Sequence, residues 1–188
     1  MKKIIFLIIV VLFGFNINAQ IKAFDNIYFD MTKKDVRVLS KFSDSLHFGD
    51  YSFFVNPLIS TYDGNNKLVV LGLSRCDKST VWIPEYLNDD KFKILSEYIF
   101  DTFIDANFTL LYKNDFYNSA VFSERKILFI FQNNERTIYL ENNGILPLSK
   151  ERVYIVRIKI MTNEYAKKII DQQIEIKEKN SNELKNKL

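Results

Sequence analysis

DKFKILSEYIFDTFIDA, residues Asp90–Ala106, repeats its apolar side chains at steps of three and four. The apolar positions are Phe92, Leu95, Ile99, Phe103 and Ala106. The charged positions between them are Lys93, Glu97, Asp101 and Asp105. This spacing predicts a helix with one apolar face and one solvated face. Segments rich in β-forming residues precede and follow it, so we expect its apolar face to lie on a sheet.

A second helix is predicted earlier in the chain, after Thr32. Thr32 can cap the helix, and Asp35 three residues later completes a capping box. Met31 before this cap and Val36 in the helix form a hydrophobic staple. We expect the helix to end near Ser43–His47. Its predicted apolar stripe consists of Val36, Leu39 and Phe42.

Segments typical of strands surround these two helices, and a third helix is predicted from Thr162 or Asn163. The predicted strands are Ile27–Phe29, Asp50–Val55, Leu58–Tyr62, Lys67–Leu73, Phe108–Tyr112, Ile127–Gln132, Thr137–Glu141 and Arg152–Met161. Asp63 and Gly64 between two of them are a hairpin signal. The order helix–hairpin–helix–strands–helix predicts an α+β fold, with antiparallel sheet or sheets and helices packed on one face.

The first 19 residues have the layout of a secretory signal peptide. Lys2 and Lys3 give a basic start, Ile4–Phe13 is an unbroken apolar run, and Ala19 is a small-residue exit. The run is shorter than the about 20 residues that span a membrane. We therefore expect cleavage after Ala19 and no integral membrane span afterwards, the alternative being retention as an anchor. The ending resembles signal peptides of Bacteroidetes-type bacteria. The protein is expected to be secreted or periplasmic.

Residues 20–171 are predicted to form a single domain, either as one body or as two lobes that meet near 75–90. Residues 172–188 are rich in Lys, Glu and Asn and are predicted to be a disordered tail. The formal net charge of +3 falls to +1 when Lys2 and Lys3 leave with the leader. This near-neutral charge gives no indication of nucleic-acid binding.

The sequence contains few residues of the types that act in catalysis or bind metals. The chain has one histidine, His47, and one cysteine, Cys76, at unrelated positions, from which neither a zinc site nor a haem attachment site can be built. A Ser–His or Cys–His mechanism would rest on His47 alone. We therefore predict no enzyme, no cofactor and no metal. Cys76 is interpreted as a small buried residue, with a reactive or intermolecular thiol as the alternative.

The acidic row Glu97, Asp101 and Asp105 recurs once per turn on the solvated face of the central helix. Such a row could hold a cation or supply paired carboxylates for glycoside hydrolysis. Glycosidase carboxylates usually come from different elements around a cleft, which one helix face does not make. We interpret the row as a solvated face.

The hairpin around Asn133–Arg136 is apolar on both faces, so each face needs a cover or a partner. In a single antiparallel sheet, its aromatic residues can share the face away from the central helix with two cations of the last strand. This predicted binding site comprises Phe129, Phe131, Tyr139, Arg157 and Lys159. Aromatic residues and Arg are enriched where binding energy concentrates. The alternative is that the last helix covers the aromatics.

The run IYFDMTKKDV, Ile27–Val36, leads into the first helix and an antiparallel ribbon. It resembles the opening of the BamE/SmpA-like modules of bacterial envelopes and of the related β-lactamase-inhibitor-protein fold. Those modules open with a Gly-Met-Thr-type turn, a short helix and a hairpin. Asp30 stands here at the usual glycine position, and the lipid-anchoring cysteine of BamE is missing. The resemblance covers Ile27–Leu73, implies a non-catalytic binding module, and transfers no functional residue.

Export, small size and scarce active-site chemistry together predict a protein-binding module of the bacterial cell envelope, with another protein as its partner. A periplasmic inhibitor or immunity protein that neutralises a toxin or enzyme fits the same features. A small carboxylate-dependent hydrolase is the third alternative.

Overall fold

The computed structural model describes residues 20–75, 87–113, 125–143 and 154–169. The predicted leader, Cys76 and the predicted tail lie outside these residues. No helix within the described ranges is long and apolar enough to cross a membrane. The described chain forms a two-stranded hairpin and a curled antiparallel sheet of eight strands.

The elements follow one another in this order. They are β1 (Lys22–Phe24), β2 (Ile27–Tyr28), α1 (Lys33–Leu39), β3 (Leu46–Phe48), β4 (Tyr51–Val55), β5 (Thr61–Tyr62), β6 (Leu68–Ser74), α2 (Asp89–Asp105), β7 (Thr109–Lys113), β8 (Arg125–Gln132), β9 (Arg136–Asn143) and β10 (Val156–Thr162). Helical residues 163–169 follow as α3.

The large sheet has the strand order β3-β4-β6-β10-β9-β8-β7, and β5 pairs with β6 as well. Its centre is the antiparallel pair β6–β10, in which Leu73 lies opposite Ile158. Strands from both sides of residues 75–90 therefore share one sheet. β3 and β7 are the two ends of this order, and β5, which pairs with β6 alone among the described strands, is a further edge strand.

Helix α2 lies on one face of the sheet, as its periodicity predicts. Asn88 caps its start, and the side-chain oxygen of Asn88 accepts a hydrogen bond from the Lys91 N–H at 3.1 Å. Near its other end the Phe103 ring lies 5.7 Å from the Phe48 ring and 5.1 Å from the Phe131 ring, between centroids. The predicted apolar face is buried except for Ala106, which is exposed beyond the helix end.

Helix α1 has the predicted start and a different end. Thr32 Oγ1 accepts from the Asp35 N–H at 3.2 Å and donates to Asp35 Oδ2 at 2.6 Å. The helix stops at Leu39, where the hydroxyl of Ser43 donates to the Leu39 carbonyl. The backbone N–H groups of Phe42 and Ser43 donate to the same carbonyl, so the chain leaves the helix through a tight turn. Phe42 is consequently 74% exposed, outside the buried stripe, and β3 occupies part of the predicted helix end.

The predicted α+β fold with helices on one face is wrong, because the chain is mostly β and helices cover both faces. Ala166 of α3 packs with Tyr139, Val70 and Met161 on the face opposite α2. The predicted element order also fails, since the β1–β2 hairpin precedes α1 and four strands, β3–β6, separate the first two helices. Strands of two or three residues are too short to show a period-two pattern in the sequence.

Candidate interaction surface

Phe129 and Phe131, two of the predicted site residues, belong to the core beneath α2. Phe129 is 2% exposed and Phe131 is fully buried. The Phe100 ring lies 5.8 Å from the Phe129 ring and 6.1 Å from the Phe131 ring. These side chains therefore stabilise the packing of α2 on the sheet.

Tyr139 lies on the opposite face from Phe131. In the β8–β9 register Tyr139 opposes Ile130, whereas Phe131 opposes Ile138. Directly opposed residues of an antiparallel pair point to the same face, and a shift of one residue reverses the face. A β-bulge between Ile127 and Phe129 alters the alternation further along β8. The predicted aromatic trio is thus split between two faces.

The two predicted cations are on the face of Tyr139, as expected, but this face is covered. Lys159 lies opposite Tyr139 and is 5% exposed, and Tyr139 is 3% exposed. Arg157 lies opposite Glu141 and is partly buried. The five predicted residues therefore lie on two faces of the sheet and are buried or partly buried.

The remaining chemical candidates among the described residues are at the surface. Glu97, Asp101 and Asp105 are exposed on α2. Exposed His47 contacts two hydroxyls, with Nε2 2.8 Å from Ser45 Oγ and Nδ1 3.0 Å from Ser52 Oγ. Within the described ranges, no group of three or more His, Cys, Asp or Glu residues could hold a metal ion.

The strongest candidate surface is the sheet edge at β7, which the sequence prediction did not single out. β7 pairs with β8 on one side, and no described strand pairs with its other side. An unpaired strand edge exposes backbone donors and acceptors that a further strand can bond. The opposite edge strand, β3, has three residues and carries His47, so it offers a shorter and more polar edge.

Apolar side chains accompany this open edge. Leu111 is 51% exposed and Tyr112 is 45% exposed. A bulge between Leu110 and Tyr112 leaves Leu111 without an opposite residue in β8. We call this surface the β7 edge and define it as the outer side of Thr109–Lys113. The run Leu110–Tyr112 was a signal in the sequence, because three consecutive apolar residues of a strand cannot all point to one buried face.

A groove of about 560 Å³ adjoins the start of β7, between the end of α2 and the β8–β9 turn. Its lining is mainly polar and consists of Ala106, Asn107, Thr109, Leu111, Gln132, Asn133, Asn134 and Glu135. Amide and carboxylate groups in a groove beside an open strand can bond the side chains of an incoming segment. The groove is therefore continuous with the β7 edge at Thr109 and Leu111.

Charge is distributed unevenly along this edge. Exposed Glu135 and Asp105 lie near the start of β7, and the last turn of α2 contains no basic residue. Carboxylates are unfavourable at a helix C-terminus, where unpaired carbonyls carry partial negative charge. Exposed Lys113 ends the strand, and its Nζ lies 5.0 Å from the centroid of the Phe100 ring. The edge thus has an acidic start, an apolar middle and a basic end.

The chain was compared with protein-family models, curated proteins and solved structures, and none of them matches it. The resemblance of Ile27–Leu73 to BamE/SmpA-like modules stays a prediction.

Proposed function

We propose that this protein is an exported, non-catalytic protein-binding module, and that its partner adds an extended segment to the β7 edge. The observation that carries the proposal is a strand edge with which no other described strand pairs, and whose Leu111 and Tyr112 are about half exposed. Strand addition of this kind derives affinity from backbone hydrogen bonds and specificity from pockets beside the strand. The groove at the start of β7 supplies such a pocket.

Capture from the native envelope fraction tests this proposal. Wild type and the double variant Leu111→Lys, Tyr112→Ser serve as baits, with Leu58→Ser as the matched control. Leu58 is 75% exposed but lies away from β7, in the segment between β4 and β5. We expect a protein that wild type and the Leu58 variant capture and the β7 variant does not. Capture that is equal for all three baits would contradict the assignment of the surface.

Export is a separate part of the proposal and rests on Met1–Ala19. Sequencing the N-terminus of protein made in its own host should give Gln20 as the first residue. An intact Met1 recovered in the membrane pellet would contradict cleavage. The resemblance to envelope modules supports the same location.

A further inference from the structure

We propose that the outer face of α1, together with the turn that follows it, binds the surface of an anionic phospholipid membrane. We call this surface the α1 face and define it as Lys34, Arg37, Val38, Lys41 and Phe42. It is separate from the β7 edge, so the inference goes beyond the proposed function. The exposure, the spacing and the charge of these five residues support it.

The α1 face exposes two large apolar side chains. Val38 is 50% exposed and Phe42 is 74% exposed, whereas Val36 and Ser40 are buried. Val36 and Ser40 therefore attach this segment to the rest of the protein, and Val38 and Phe42 lie on its solvent side. The Phe42 N–H donates to the Leu39 carbonyl at 2.9 Å, so the turn that presents the ring is hydrogen bonded. Moving such side chains from water to an apolar phase is favourable.

Cations surround the exposed apolar residues. Lys34 precedes Val38 by four residues, and Lys41 follows Val38 by three. Residues three or four apart are neighbours on a helix surface. Lys34, Arg37 and Lys41 are exposed, and none of them forms an ion pair within the part of the chain that the structure describes. Their apolar stems can lie along the same surface while the charged groups reach an anion.

The net charge of this segment is positive. Residues 33–44 contain four cations and two acids, Asp35 and Asp44. Asp35 Oδ2 accepts a hydrogen bond from the Thr32 hydroxyl at 2.6 Å, so this carboxylate is engaged at the helix start. Basic residues near a membrane are attracted by the negative potential of anionic lipids. Apolar side chains beside a basic helix surface enter the boundary between headgroups and acyl chains.

An acidic protein surface is the other partner with matching charge. To cover Phe42, such a protein would need a preformed pocket for a ring that stands on a convex helix surface. A bilayer requires no preformed pocket, because its headgroups rearrange around an inserted side chain. None of the α1-face residues lines the groove beside β7, so the two surfaces are not continuous through it. The exposed ring among cations therefore favours the lipid surface.

Co-sedimentation with phospholipid vesicles tests the proposal. The vesicles consist of phosphatidylcholine alone or of an equimolar mixture with phosphatidylglycerol, at an ionic strength of about 0.1 M, where the screening length is about 10 Å. The protein is purified from its own host, so that its leader is processed as it is there. The variants are Phe42→Ser and Lys41→Gln. The matched controls are Ile94→Ser and Lys93→Gln, which alter an exposed apolar residue and an exposed lysine of α2. Far-ultraviolet circular dichroism verifies that each variant is folded.

We expect wild type to bind the mixed vesicles and to bind phosphatidylcholine alone at least about tenfold more weakly. Lys41→Gln should weaken binding to the mixed vesicles by about fivefold, and Phe42→Ser should weaken it by about tenfold. The two α2 controls should bind like wild type. The proposal is overturned if wild type does not bind the mixed vesicles, if it binds both kinds of vesicle equally, or if the controls lose as much binding as the α1-face variants.

A fluorescence measurement tests the contact of the ring with lipid directly. Phe42→Trp should show a blue-shifted emission when mixed vesicles are added, and Ile94→Trp should not; the natural Trp82 is present in both variants. Equal spectra with and without vesicles for Phe42→Trp would contradict insertion. Wild type that ignores vesicles, combined with a protein that it captures and Phe42→Ser does not, would overturn the membrane as the partner and assign a protein instead.

Discussion

Lys159 donates a hydrogen bond from its Nζ to the backbone carbonyl oxygen of Ile59, 100 positions earlier in the chain. Lys159 stands in β10 opposite Gly72 of β6, and the segment 56–60 crosses above this glycine. The Asn56 N–H donates to the Gly72 carbonyl at 2.8 Å. Burial of an ammonium group is costly unless it is hydrogen bonded. The Ile59 carbonyl offsets this cost and ties the crossing segment to the centre of the sheet.

Glycine is therefore expected to be required at position 72, because the crossing segment leaves no room for a side chain there. A Cβ built there would lie 2.6 Å from Ile59 Cγ1 and 2.8 Å from the Ile59 oxygen. Gly72→Ala should destabilise the protein by about 1–3 kcal/mol, as overpacking does. Gly64→Ala is the matched control, because no atom lies within 4 Å of its added Cβ. Urea titration measures both free energies of unfolding, and equal losses would contradict the close approach at Gly72.

The two faces of α2 should respond differently to truncation. Phe103 is 6% exposed and its ring contacts three other phenylalanine rings, whereas Asp101 is exposed. We expect Phe103→Ala to cost about 3–5 kcal/mol, as large-to-small core substitutions do. Asp101→Ala should change stability by no more than about 0.5 kcal/mol. Urea unfolding of the two variants and wild type checks this, and similar losses would contradict the assignment of faces.

The long elements could be predicted from the sequence because each of them shows its apolar period or its capping signal over several residues. The apolar period of α2, the Thr32 cap of α1 and the strand before α3 all lie within one or a few residues of their predicted positions. Short elements have no such repetition. β3, with three residues, fell inside the predicted end of the first helix, since a Leu-His-Phe run is compatible with either structure. The predicted element order failed through these short strands, and the predicted placement of the helices on one face failed because α3 packs on the face opposite α2.

The predicted aromatic trio is divided between two faces because the register of a strand depends on its partner as well as on its own sequence. Phe131 and Tyr139 each fit a period-two pattern, but which face they share depends on how β8 and β9 pair. The position of a strand within a sheet is set by non-local pairing as well. Leu111 and Tyr112 became candidates when the strand order placed β7 at an edge.

His47 is expected to be dispensable for any hydrolytic reaction. Its ring nitrogens contact Ser45 and Ser52, which resembles half of a nucleophile–base–orienter arrangement, but the group is exposed at the short β3 edge. An activated nucleophile requires a base that a third group orients in a protected site. A broad hydrolase substrate screen should give equal signals for wild type and His47→Ala. Turnover by wild type that the substitution abolishes would overturn the non-catalytic assignment.

The hydroxyl of Tyr139 is buried, and no group of the described residues forms a hydrogen bond with it. A buried polar group without a partner loses its bonds to water and costs about 1–3 kcal/mol. Tyr139→Phe removes the hydroxyl and keeps the ring packed against α3. We therefore expect a gain of about 1 kcal/mol in the free energy of unfolding at neutral pH. Tyr98→Phe is the matched control, because the Tyr98 side chain is 45% exposed and its hydroxyl should contribute little.

The same substitution should also flatten the loss of stability at alkaline pH. Burial raises the pKa of Tyr139 above its ordinary value of 10.0, and the negative charge of Glu141 raises it further. The folded state thus holds the phenol proton more tightly than the unfolded state. The contribution of this pKa difference to the free energy of unfolding is therefore fully present below pH 10.0. It is lost as the pH rises from there through the folded-state pKa.

Urea titrations at a series of pH values should show a shallower alkaline loss of stability for Tyr139→Phe than for wild type. Some loss should remain, because burial also raises the pKa of Tyr62. Parallel curves for wild type and Tyr139→Phe, or a lower stability of the variant at neutral pH, would show that the hydroxyl has a partner in solution.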